Sequence, residues 1–287
     1  MTRAMAEITA KQVQSLRSRT DLAMMDCKKA LMEAAGDETK ALEILRKKFA
    51  DKMSDRAERE TANGRIGVFA SDRGAALAEL RCETDFVATN EKFKTLADRI
   101  AQACVETGVT DVGALKSAKM SDGRTVQEML VDAFGVMKEN LSLHRLARIE
   151  GPAAGYVHHN GKVGAAVACS AAPGDAGRQI CMHIASTMQI EGLRRQDVDD
   201  RLVAEARRQA AEQAKGKPEQ IIAKIVEGKM DKWYAVHVLI EQPFVMDDKK
   251  TVGEHAGEHH FELTAFAKFE VGGLSPAEVA GPDRGAS

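Results

Sequence analysis

At 287 residues, with 41 Lys and Arg against 43 Asp and Glu, the chain carries a formal net charge of −2, so no global basic field marks it for nucleic acid. Its five cysteines (Cys27, Cys82, Cys104, Cys169 and Cys181) are odd in number and form no close pair, which describes neither a disulfide framework nor a zinc site and fits a reducing cytoplasm. No run approaches a membrane span, the first nine residues lack the apolar stretch of a signal peptide, and aromatics at 4% leave aliphatic side chains to fill two or more modules.

Residues 1–48 predict three short helices. Thr9 and Gln12 have capping-box spacing, ahead of a face carrying Val13 and Leu16. A second helix covers about Met25 to Ala34, with Cys27, Ala30, Leu31 and Ala34 on one side, and Gly36 supplies the positive φ that stops it. Asp37 caps a third, where Ala41, Leu42 and Leu45 point inward and Lys40, Lys47 and Lys48 outward. Lys28 and Lys29, on the second helix, read from the residues alone as solvated charges. Residues 49–63 mix both charge signs and read as a linker or a loosely held helix.

From residue 64 one layout occurs twice, which predicts an α+β fold of two small antiparallel sheets with helices on one face of each. The first copy, 64–150, has strands at Arg65 to Ala70 and Ala75 to Cys82 around the turn Ser71-Asp72-Arg73-Gly74. The run Arg81 to Phe93 (R-C-E-T-D-F-V-A-T-N-E-K-F) follows, placing Thr84, Asp85 and Phe86 in a short strand-to-helix connection. Asn90 caps the next helix, with Phe93, Leu96, Ile100 and Cys104 on one face; a helix at Thr125 to Gly135 and a strand at Leu141 to Glu150 complete the copy. The second copy, 151–273, has strands at Tyr156 to His158 and Val163 to Ser170, a helix at Asp175 to Met188 and a closing strand at Phe261 to Val271. Strict alternation puts Phe261, Leu263, Ala265, Ala267, Phe269 and Val271 on one face of that strand. An inserted helical hairpin occupies 197–233, its arms seamed by Val198, Leu202, Ala206, Ala210 and Ala214 against Ile221, Ile222, Ile225 and Val226. Residues 274–287 read as a flexible tail.

Two side-chain groups invite a catalytic or metal reading. Cys181 and His183 are two apart on a helix, so their side chains diverge, and Cys181 fits a buried apolar role. His255, His259 and His260 have no cysteine or carboxylate pair to complete a metal site. No phosphate-binding loop or dinucleotide fingerprint occurs. The sequence therefore points to no catalytic residue, no metal and no cofactor. Phe86 has two roles open to it: plugging its own core, the commoner fate of a large apolar residue, or projecting into a partner's pocket with Asp85 fixing the orientation.

T-D-F-V at Thr84 to Val87, together with R-T-D-L-A-M-M-D-C-K-K-A-L at Arg19 to Leu31, resembles bacterial elongation factor Ts, the guanine nucleotide exchange factor for elongation factor Tu. The similarity continues in pieces to about residue 271. It implies a UBA-like N-terminal three-helix module, a duplicated core and a projecting helical arm. It also implies a translation factor, not an enzyme, that acts in the cytoplasm on GDP-bound and nucleotide-free elongation factor Tu, without nucleic acid or membrane. Thr84, Asp85, Phe86 and Val87 match the segment that enters the partner's magnesium-holding region. Asp26, Cys27 and Lys28 match a contact with the partner's nucleotide-binding domain, and His158 matches a contact from the second subdomain. The chain departs from the family where T-G-A-G-M-M becomes Thr20-Asp21-Leu22-Ala23-Met24-Met25, losing both glycines. The alternative from another class is an adaptor whose three-helix module binds protein partners without exchange activity.

Overall fold

A computed structural model of the protein describes residues 8–273. It opens with three helices, α1 (Ala10–Thr20), α2 (Met24–Glu33) and α3 (Glu38–Ser54). The local signals act as their chemistry requires: Thr9 and Gln12 form a reciprocal capping box, Gly36 takes φ +89°, and the Asp37 carboxylate accepts from the N–H groups of Thr39 and Lys40. Asp21 takes the left-handed conformation at φ 56°, while Ala23 is at φ −59°. Only one of the two lost glycine positions therefore needs a left-handed residue, and Asp tolerates it. Val13, Leu16, Cys27, Leu31, Leu45 and Phe49 share one core. Helix α3 runs past the expected boundary at residue 48, because Phe49 is 2% exposed and completes that core.

The first copy is β1 (Asn63–Ser71), β2 (Gly74–Cys82), α4 (Asp85–Ala88), α5 (Glu91–Thr107), α6 (Val112–Ser117), α7 (Val126–Met137) and β3 (Ser142–Glu150). The second is β4 (Ala153–Val157), β5 (Val163–Cys169), α8 (Gly174–Ser186), α9 (Asp200–Glu212), α10 (Glu219–His237), β6 (Pro243–Phe244), β7 (Asp247–Thr251), α11 (Val252–Glu258) and β8 (Leu263–Glu270). The sheets are antiparallel, in the orders β1-β2-β3 and β4-β5-β8. The short helix α6 and the β6–β7 ribbon carry too little periodicity to be predicted, yet Phe244 of the ribbon is buried in the second core. Arg46 on α3 is bound to Asp132 and Glu128 of α7, fixing the three-helix module to the first copy.

Alternation along each middle strand decides the layering. Ala76, Ala78 and Leu80 of β2 face α5 and α7, while Ala75 and Leu77 face away. Those second faces meet across the molecule: Ile66, Leu77 and Ile149 of one sheet pack on Ala166, Ala168 and Phe269 of the other. The order is thus helices, sheet, sheet, helices. Small residues bring the sheets close; a Cβ on Gly164 would lie 2.4 Å from Ile66 Cγ2.

One expectation fails for an instructive reason. The β5–β8 register slips at Ala168/Cys169, leaving Thr264 as an extra residue. This bulge reverses the alternation. Phe261 and Leu263 join the helix-side core, while Ala265, Ala267, Phe269 and Val271 line the inter-sheet core. Strand β3 slips at the same place, at Glu79/Leu80, with His144 as the extra residue. The two copies share the defect as well as the layout.

Helices α9 and α10 pack on each other through Val198, Val203, Ala206, Val226, Met230 and Tyr234. Leu202, expected in that seam, is 43% exposed, and Val203 takes its place. The stretch read as a flexible tail, 274–287, lies outside the described residues, as do residues 1–7.

Candidate functional site

The short strand-to-helix connection after β2 is itself one turn of helix, α4. The Thr84 hydroxyl accepts from the Val87 N–H at 3.4 Å and starts the turn. The Thr89 hydroxyl closes it on the carbonyls of Asp85 and Phe86, both at 3.1 Å. Val87 is half-buried against the helix-side core. Asp85 is exposed, and the Phe86 ring is 83% exposed. Phe86 therefore does not plug its own core. The ring stands in water on a helical turn that is otherwise well anchored.

Sequence reasoning missed what lies beneath this turn. Glu139, in the turn between α7 and β3, accepts from the Thr84 N–H at 3.0 Å and from the Thr84 hydroxyl at 2.6 Å. Glu83 accepts from the Asn140 N–H at 2.7 Å, and the Asn140 side chain donates to the carbonyls of Ala57 (3.3 Å) and Arg59 (2.9 Å). Asn63 donates to the Glu83 carbonyl at 3.0 Å. Two consecutive residues of one turn thus brace two consecutive residues of another. No local pattern signals such a contact, since Thr84 and Glu139 are 55 residues apart.

On α2, Asp26 pairs with Lys48 at 2.8 Å, and that hydrogen bond holds its carboxyl below the usual range despite partial burial. Lys48, expected to point outward, is half-buried by this pairing. Cys27 is fully buried, 3.8 Å from the Thr20 hydroxyl. It offers no side-chain surface and packs α2 onto the core of the three-helix module. The reachable face of α2 is Met25, Lys28, Lys29 and Met32, with Met25 59% and Met32 46% exposed.

His158 is half-buried just after β4, with Nδ1 3.2 Å from the Tyr156 hydroxyl and its ring tilted against His159. Gly161 takes φ +75°, donates its N–H to the His158 carbonyl at 2.8 Å and accepts from the Ile66 N–H at 2.9 Å. The turn bearing His158 is thereby fastened to β1 of the other copy. Among the described residues, no hydrogen bond or ion pair joins the Thr84–Val87, α2 and His158 groups to one another.

Of the side chains that suggested catalysis, Cys181, His183 and His255 are buried. Cys181 is fully buried, its thiol pushed well up by that burial and donating to the Ala154 carbonyl at 3.4 Å. Burial likewise pushes Cys82 and Cys169 up to about 12, leaving no thiolate at neutral pH. His183 Nδ1 accepts from the Val245 N–H at 3.2 Å, so its proton sits on Nε2 and is donated to Gln242 Oε1 at 2.9 Å. His255 is buried and stacked on Phe244 at 4.1 Å. Among the described residues no group of three or more His, Cys, Asp or Glu is placed to hold a metal, and no helix is long and apolar enough to cross a membrane.

Comparison with known proteins gives a consistent result. Residues 83–273 match the family described as Elongation factor TS. Elongation factor Ts of Acidothermus cellulolyticus is 41% identical over 278 residues, covering 94% of this chain and 100% of that protein. Elongation factor Ts of Azoarcus sp. is 40% identical over 274 residues, covering 93% and 92%. Elongation factor Ts of Mycobacterium avium is 40% identical over 278 residues, covering 93% and 99%.

Proposed function

Because the chain belongs to the elongation factor Ts family, we propose that it binds GDP-bound elongation factor Tu and accelerates GDP release by disturbing the magnesium and phosphate site. Phe86 and Asp85 enter the region that holds the magnesium ion. Displacing that ion leaves phosphate charge less compensated, and the nucleotide departs faster. The outer face of α2, with Asp26 and Lys28, presses on the phosphate-binding side, and His158 supplies a third contact from the second copy. In this reading the three-helix module is UBA-like, and α9 with α10 form a helical hairpin that extends the docking surface. The protein does no covalent chemistry, acts in the cytoplasm and needs neither nucleic acid nor membrane.

Energy requires that several patches act together. Partner and nucleotide must weaken each other's binding by the same factor. A ten-thousand-fold weakening takes about 5.5 kcal/mol of differential binding. Burial of one phenylalanine supplies roughly 1.5–3 kcal/mol. Phe86 is the largest single share and the remainder falls to the other contacts.

The observation that carries this reading is the solvent-exposed Phe86 on a turn anchored from below. The experiment is release of labelled GDP from purified elongation factor Tu, driven by wild-type and Phe86→Ala protein. The variant should slow release by about tenfold or more, from the loss of one buried ring, with a thermal melt unchanged because the ring touches little of its own scaffold. Undiminished release would refute the reading; complex formation without any acceleration by the wild type would favour an adaptor.

A further inference from the structure

We propose that Glu139 is a positioning residue for exchange: by gripping Thr84 with both carboxylate oxygens it fixes the one-turn helix that presents Phe86. The inference rests on the exchange reading above and adds to it a residue far from the contact surface in sequence.

The geometry is specific. Glu139 Oε2 takes the Thr84 N–H at 3.0 Å and Oε1 takes the Thr84 hydroxyl at 2.6 Å. Both are bonds to a carboxylate, the stronger class of hydrogen bond. They fall on the residue immediately before Asp85 and Phe86, and the same hydroxyl caps α4 by accepting from Val87. If that hydroxyl turns away, the cap is lost with it. A four-residue helix has little cohesion of its own, so its orientation depends on what holds its first residue.

Glu139 is itself held in place. Lys138 takes the left-handed conformation at φ 61°, which turns the chain sharply between α7 and β3. That conformation is uncommon for a lysine. It is secured by Arg56, which donates to the Lys138 carbonyl, and by the Lys138 ammonium lying 4.0 Å from the centre of the Phe49 ring. Asn140, next in sequence, is locked to Glu83 and to the carbonyls of Ala57 and Arg59. The segment trailing the three-helix module thus sets the turn, the turn sets Glu139, and Glu139 sets Thr84. A rigidly presented ring loses less freedom on insertion than a mobile one.

The test combines Glu139→Ala, Glu139→Gln and Phe86→Ala in full-length protein, read by GDP release from elongation factor Tu over a range of factor concentrations. Glu139→Ala should lower the release rate at saturation by roughly tenfold, the hold of one charge-assisted hydrogen bond, and change the half-saturating concentration little. Glu139→Gln keeps an acceptor for the Thr84 N–H and a donor for its oxygen, and should restore most of the rate. In the Phe86→Ala background Glu139→Ala should have almost no further effect, because it acts through the ring. A full additional loss there would overturn the proposal.

A second measurement needs no partner. With 4-fluorophenylalanine at position 86 alone, the fluorine resonance of the free protein should broaden or shift in Glu139→Ala and stay near wild type in Glu139→Gln. An unchanged resonance in Glu139→Ala would overturn the positioning role and leave the exchange reading intact. Normal GDP release by Phe86→Ala would overturn both.

Discussion

Besides the inserted helices α9 and α10, the two copies of the sheet-and-helix layout differ where strand two hands over to its helix. In the second copy, residues 170–173 pass directly from β5 to α8, and Ser170 stays paired with Glu262 beside it. In the first, residues 83–90 interpose an extra helical turn that lifts Phe86 into water and is gripped from below by Glu139. The strands around these links match in order, pairing and even in the bulge of the third strand. The scaffold is therefore shared, and the turn that carries the exposed ring is an elaboration of one loop on one copy. Loops on rigid elements are where binding residues concentrate.

The copies also differ in what they bury. The first copy sends Glu79, 0% exposed, into the interface between the sheets, at a place where the second copy has Ala168. Glu79 accepts from Arg81 at 2.7 Å, from Arg145 at 2.5 Å and from the Gly272 N–H at 3.0 Å. It therefore ties β2 and β3 to the end of β8. Glu79→Ala removes the buried carboxylate on which Arg81, Arg145 and the Gly272 N–H converge and should cost about 3–5 kcal/mol in urea unfolding, while Ala168→Ser should cost far less. A small loss for Glu79→Ala would mean that this carboxylate adds little to the other contacts between the two copies. Burial pushes the Glu79 carboxyl up, but the Gly272 N–H, Arg81 and Arg145 outweigh it and hold it below 4.5. Its share of stability is then complete above pH 4.5 and is lost as pH falls through the lower folded value.

Packing depth gives the next contrast. A Cβ on Gly67 would sit 2.1 Å from the Ala97 carbonyl carbon, in the backbone of α5, whereas one on Gly164 would meet side chains, those of Ile66 and Leu77. Backbone cannot step aside as a rotamer can. Gly67→Ala should cost about 3 kcal/mol and Gly164→Ala about 1 kcal/mol, the ends of the range for overpacking. Equal costs in thermal melts would show that the inter-sheet core is as rigid as the strand–helix contact.

The smallest effect concerns mild acid. The second copy buries His183 and His255, while His144 of the first is exposed. Burial lowers both buried histidines below 6.5. Their neutral forms are favoured in the fold, so their contribution is present above pH 6.5 and declines as pH falls below it, by at most about 1.4 kcal/mol per unit for each. Hydrogen exchange at pH 5 should therefore loosen α8 and β6–β7 before α5. His183→Gln should flatten that dependence; the same opening order with the same slope would remove His183 from the account.

How much of this was legible in the sequence varies with the range of the interaction. The caps at Thr9, Asp37 and Asn90, the stop at Gly36 and the inward faces of α1, α2 and α5 all follow from residues within four positions of one another. Such signals are written locally and need no partner elsewhere. The site was legible as a motif, Thr84 to Val87, but the residues left its ring with two opposite fates. The face change at Thr264 was not legible, because a bulge is set by the register against a neighbouring strand.

The amino-acid sequence by itself determined the longer helices, the strand pairs of the two larger sheets, the duplication and the family. Tertiary structure alone decided that Phe86 faces water, that Glu139 lies beneath Thr84 and that Glu79 sits between the sheets. The reason is physical: exposure and pairing are properties of what other segments bring alongside. Glu139 reaches Thr84 across 55 residues, and Glu79 reaches Gly272 across 193. Only a folded chain places such groups within hydrogen-bonding distance.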